Sequence, residues 1–167
     1  MTTLRPTYDS LEVRTKISHA LAKEIFPLCK HTVTFEELEE DIRSIWQPNT
    51  DGYTLCKDLE YLAKYRPNTE FVRVFHEISA YQILKSVIRD WVAKEQPVPD
   101  YEVGDQVFVF FEEEMVTGEL IRIDTISAEY HVFCEEKGHV RNGLGVRSFV
   151  VPYEQVGSLI PADRLAA

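Results

Sequence analysis

The run Glu95-Gln96-Pro97-Val98-Pro99-Asp100 divides the chain into two parts that cannot share one kind of secondary structure. Proline lacks a backbone donor and fixes φ, so two prolines in three residues stop a helix and start an extended path. Upstream, apolar residues recur every three or four positions; downstream they alternate. The sequence therefore predicts an α+β protein. A small bundle of about four helices is expected over residues 1–96, and a compact β domain with a C-terminal tail over residues 97–167. Apolar residues make up 44% of the 167 and charged residues 28%, a balance that argues against disorder. No apolar run approaches the roughly 20 uncharged residues that cross a bilayer.

In the first part, Val13, Ile17, Leu21 and Ile25 form one stripe, which predicts a helix from Ser10 to about Phe26. Asp9 or Ser10 would cap it and Pro27 would end it. Thr34 and Glu37 have the spacing of a capping box, opening a second helix whose buried face is Phe35, Leu38, Ile42 and Ile45 or Trp46. The acids Glu36, Glu37, Glu39, Glu40 and Asp41 then fall near its N-terminus, where the helix dipole favours them. After the breakers Gln47 to Gly52, a third helix carries Leu55, Leu59 and Leu62 and stops before Pro67. A long fourth helix is expected from Phe71 to Trp91, with Phe75, Ile83 and Val87 widening its stripe. A DNA-reading pair of helices is disfavoured, because Lys57 and Lys64 on the third are offset by Asp58 and Glu60.

In the second part, Gly104-Asp105 supplies a turn. Val107, Val109 and Phe111 then face one way while Phe108 and Phe110 face the other. A second strand runs from Val116 to Asp124, with Gly118 allowing a bend or bulge. A third, Ala128–Cys134, carries Tyr130, Val132 and Cys134 on one side. A loop with Gly138, Gly143 and Gly145 leads to a fourth strand, Val146–Val151, and Pro152 cannot continue a central ladder.

Three segments carry a resemblance: Gly104-Asp105-Gln106-Val107-Phe108-Val109, Thr117-Gly118-Glu119-Leu120-Ile121-Arg122-Ile123-Asp124, and Val150-Val151-Pro152-Tyr153-Glu154-Gln155-Val156. Together they resemble SH3-like barrels of the Tudor and KOW-like kind, over residues of about 100–160. The resemblance implies an SH3-like β-barrel acting as an adaptor, since such barrels bind methylated side chains, nucleic acids, peptides or other proteins. The basic surface of the nucleic-acid-binding members is missing here. Phe108, Phe110, Tyr130, Phe133 and Tyr153 are the rings from which a cation-binding cage would be built, with Glu112 or Glu129 nearby. Alternation sends Phe108 and Phe110 off the core, where either a ligand or the helices would cover them.

Charge separates the parts as sharply as periodicity does. Residues 1–96 hold 13 Lys and Arg against 15 Asp and Glu; residues 97–167 hold 5 against 13. An anionic β domain repels nucleic acid and favours a cationic partner. Cys29, Cys56 and Cys134 are odd in number and widely spaced, as structural thiols of a reducing compartment would be. With no secretory stretch after Met1, a cytoplasmic location is expected. No cofactor or metal ligand set is recognisable, and neither are phosphate loops, nucleophile elbows or zinc-protease motifs. Five histidines, His19, His31, His76, His131 and His139, are scattered.

These observations lead to a non-enzymatic, regulatory protein-binding module that meets a basic protein surface. Glu112, Glu113, Glu114, Glu135 and Glu136 would steer the partner; Phe108, Phe110, Tyr130 and Tyr153 would contact it. Three alternatives stand beside it. One is a small acidic inhibitor of the phage type, occupying the nucleic-acid surface of a defence nuclease of the CRISPR kind. Another is a nucleic-acid-binding adaptor. The last is a small enzyme using the polar loop of Glu135, Glu136, His139 and Arg141.

Overall fold

The computed structural model describes residues 4–62, 64–111, 114–137, 141–142, 145–146 and 148–158. Helices come first: α1 (Leu11–Cys29), α2 (Phe35–Ile45), α3 (Gly52–Tyr61), α4 (Thr69–Glu77) and α5 (Ala80–Glu95). Strands follow: β1 (Gln106–Phe111), β2 (Glu114–Asp124), β3 (Glu129–Phe133), β4 (Arg141–Asn142), β5 (Gly145–Val146), β6 (Phe149–Pro152) and β7 (Val156–Ser158). Two compact units divide at Trp91/Val92, inside α5. No described helix is long and apolar enough to cross a membrane.

In the helical unit, the α1 stripe Val13, Ile17, Leu21 and Ile25 is buried as its spacing requires. It meets Leu38 and Ile42 of α2, Leu55 and Leu59 of α3, Phe71 and Val74 of α4, and Val87 of α5 in one core. The Thr34 capping box forms: Glu37 N–H donates to Thr34 Oγ1 at 3.2 Å, and Thr34 N–H donates to Glu37 Oε2 at 2.9 Å. At the other end of α2, the Arg14 guanidinium donates to the carbonyls of Arg43 and Trp46. The acids of α2 have local partners too. Tyr65 Oη donates to Asp41 at 2.6 Å and Lys64 Nζ lies 3.2 Å from it, while Glu39 faces His19.

Three helical expectations need correction. Ser10 occupies the N-cap of α1, but its Oγ accepts the Thr7 N–H at 2.8 Å rather than a helix donor. Pro27 lies inside α1 and does not end it. Proline there removes one helix donor, and the helix continues to Cys29, whose carbonyl accepts both the N–H and the hydroxyl of Thr32. The long fourth helix is two helices. Ile78 turns extended at φ −84°, ψ 110°, and Ser79 starts α5 by accepting the Gln82 N–H on both its carbonyl and its Oγ. The apolar spacing holds its phase across the break and so conceals it. Downstream, α5 gives way to Gln96 at φ +48° and then Pro97.

In the second unit, the sheet is antiparallel and five-stranded, ordered β6-β3-β2-β1-β7. Among the described residues β6 and β7 are its two edges, with no ladder between them, so the sheet is open. The expected fourth strand starts late: Gly145–Val146 pairs with Arg141–Asn142 as a separate two-residue ladder, and Phe149–Pro152 takes the sheet edge, where proline is admissible. The short β7 was not foreseen. Gly118 is not the bulge. The register shift lies between Leu120 and Arg122, and Gly118 serves a close approach instead, since a Cβ there would fall 2.5 Å from the Phe133 carbonyl oxygen.

Candidate partner-binding face

Alternation gives the sheet a covered face and an open one. Val107 and Val109 of β1, Val116 and Leu120 of β2, and Tyr130 and Val132 of β3 are all buried. The opposite set follows from the register. Phe110 stands across from Met115, Phe108 across from Thr117 and from Gly157 of β7, and His131 across from Val150. Phe110 is 69% exposed, Met115 64% and Val150 51%. An aromatic ring and a thioether paired in water form an adaptable apolar contact, and Met115 directly follows Glu114 in sequence.

The candidate residues divide between the faces. Phe110 is open to solvent; Phe108 is half-buried because its ring lies over Gly157. Phe133 is half-buried and stands across from Glu119. Tyr130 is completely buried, its ring centroid 4.4 Å from that of Tyr153 and 6.0 Å from that of Tyr101. Its hydroxyl accepts the Tyr101 N–H at 3.2 Å, and burial pushes its pKa up. Tyr153 is buried with it. These two tyrosines therefore fill the interior and do not meet a partner, because β3 sends Tyr130 to the same side as Val132. A single cage cannot be assembled from rings on opposite faces of one sheet.

Of the acids, Glu114 opens β2 and is exposed, and Lys137 Nζ donates to its Oε2 at 2.6 Å. That ammonium holds the Glu114 carboxyl below the ordinary carboxylate range. The pair also brings the 3-10 turn Glu135–Lys137 beside the start of β2. Glu135 and Glu136 in that turn are exposed and form no ion pair among the described residues. Glu112, Glu113 and His139 lie outside the described residues.

The titratable groups of the described residues are placed as follows. No group of three or more His, Cys, Asp and Glu is placed to hold a metal ion. Burial raises the thiol pKa of Cys29, and pushes that of Cys56 up to about 11, which leaves both protonated and unreactive near neutrality. His131 Nδ1 meets Ser148 Oγ at 3.3 Å, and His76 is exposed in the last turn of α4. A cleft of about 470 Å³ between α1 and α4 is floored by Ala20, Val74 and Ile78. At its rim Arg73 is held by Glu70 and Glu77 at 2.6–2.9 Å. No buried side-chain polar atom among the described residues lacks a partner.

No protein-family model, no curated protein and no solved structure matches the chain.

Proposed function

We propose that residues 97–167 form a non-enzymatic, regulatory protein-binding module of the SH3-like kind, working in the cytoplasm. Its open sheet face docks a basic partner surface. The observation that carries this reading is the exposed Phe110–Met115 pair, together with the exposed acids Glu135 and Glu136, which form no ion pair among the described residues. Apolar anchors supply affinity, and the surrounding carboxylates raise the encounter rate and select for cationic surfaces. The SH3-like reading is supported by the strand order, in which β7, the last described strand, returns beside β1 after the 3-10 turn Tyr153–Gln155. A nucleic-acid adaptor is disfavoured by 13 acidic against 5 basic residues in this part of the chain.

A synthetic amphipathic Lys/Leu helix, titrated calorimetrically into the full chain, tests the reading. Phe110→Ser with Met115→Ser should weaken binding about tenfold or more, the range of a lost interface anchor. Glu135→Lys with Glu136→Lys should weaken it and flatten its salt dependence. Wild-type affinity in both double variants, or tighter binding to duplex DNA than to the peptide, would overturn the assignment.

A further inference from the structure

The open face of the sheet carries a histidine towards the end away from Phe110 and Met115. Alternation puts His131 of β3 on the side opposite Tyr130 and Val132, and it is half-buried there. On β2, the exposed Arg122 stands directly across from it, with Glu119 and Asp124 to either side on the same face. On β6, the uncharged Val150 stands across, and Ser148 Oγ, just before that strand, lies 3.3 Å from His131 Nδ1. Along β3 itself, Glu129 and Phe133 are its neighbours on that face. Two of these acids are engaged in their own turn. Asp124 accepts the N–H groups of Ile126 and Ser127, and Glu129 Oε2 accepts the Ser127 hydroxyl at 2.8 Å. The Ser148 hydroxyl can donate to a neutral ring nitrogen or accept from a protonated one, so its contact with His131 suits either charge state. Imidazole ordinarily changes charge between about pH 5 and 8, whereas carboxylates and guanidinium keep theirs over that range. Protonating His131 therefore sets a second cation beside Arg122.

We propose that His131 makes docking on this face pH-dependent: the face holds a basic partner while the ring is neutral and releases it as the ring becomes charged. This rests on the reading above that the partner is cationic and docks on the open face, and it adds what regulates that docking. The coupling is reciprocal. A cationic partner that repels the charged ring must also make the ring harder to protonate, so the pH at which it titrates falls on binding. The same coupling sets the extent of the contact. Met115 and Arg122 are seven residues apart in β2, roughly 23 Å of strand at about 3.3 Å a residue. Salt screens charges over about 8 Å, so a partner that touched only Phe110 and Met115 would not feel His131. The partner therefore runs along β2, a span that a helix of about 16 residues covers.

The test titrates the full chain with a Lys/Leu helix of about that length, whose lysines stay charged throughout, at about pH 7.5 and about pH 5.5 and one ionic strength. Affinity is expected to fall about fivefold at the lower pH, the effect of one added like charge at a solvated contact. In His131→Gln the two affinities should be equal, and in His139→Gln the fall should persist. A second measurement needs no variant: the ring signals of His131, followed by NMR through a pH titration, should turn over at lower pH when the peptide is bound. Equal wild-type affinities at the two pH values, a fall that persists in His131→Gln, or a ring midpoint that the peptide does not move would overturn the inference while docking on the open face stands. A fall abolished by His139→Gln would assign the switch to that residue and equally overturn it. If the peptide binds at neither pH, the docking reading falls and this inference with it.

Discussion

Gly157 shows how one residue fixes the sheet's terminal strand. A Cβ built there would lie 2.1 Å from Cζ of the Phe108 ring, an overlap relieved only if that ring leaves its place over β7. Gly157→Ala should therefore cost about 1–3 kcal/mol in urea unfolding, the usual range for overpacking. Adding Phe108→Ala should restore part of the loss; no recovery would mean that the ring is not the obstacle. Asp124 sets a different single-residue condition. Burial pushes its carboxyl up, but the N–H groups of Ile126 and Ser127, at 3.0 and 3.3 Å, outweigh that and hold it below the ordinary aspartate value. A depressed folded pKa stabilises above the unfolded pKa and stops doing so as pH falls through the folded one. Asp124→Asn should thus lower stability at pH 7, and the gap from wild type should close as the medium is acidified below about pH 4. A gap independent of pH would exclude this linkage.

At the level of elements, the features readable in advance were those decided by near neighbours in sequence. The capping box needs only Thr34 and Glu37, three residues apart, and both of its hydrogen bonds form. Thr34→Ala should cost about 1 kcal/mol by thermal or urea unfolding, and an unchanged midpoint would mean that α2 is held by its packing alone. Alternation likewise placed Val107, Val109, Tyr130, Val132 and Cys134 on the covered side. The break at Ile78–Ser79 has no local signal because Phe71, Val74, Ile78, Tyr81, Leu84, Ile88 and Trp91 step by three or four residues across two separate helices. The end of α1 lies beyond Pro27 because one proline removes only a single helix hydrogen bond, too little to stop the helix before Cys29. The role of Gly118 depends on Phe133 in another strand, and no local pattern encodes that proximity.

Across the whole molecule, exposed apolar residues occur in both parts of the chain, but only beyond Pro97 do they accompany a large excess of acids. The imbalance of acids was visible from the sequence alone. Alternation placed Phe108 and Phe110 on one face, but only Phe110 reaches solvent fully, since Gly157 of another strand lies against the Phe108 ring; Tyr153 opens a 3-10 turn, and its burial against Tyr130 depends on the folded sheet. Placement of Lys137 against Glu114, 23 residues away, also had no local signal. Charge reversal of Glu112, Glu113 and Glu114 together should slow association with a basic peptide and reduce its salt dependence; unchanged rates would remove this turn from the steering surface. The most direct measurement is a residue-resolved NMR titration of the full chain with the Lys/Leu helix at two salt concentrations. The account predicts shifts centred on Phe110, Met115, Glu135 and Glu136 that shrink as salt rises. Shifts confined to residues 4–91, or no shifts at either concentration, would contradict it.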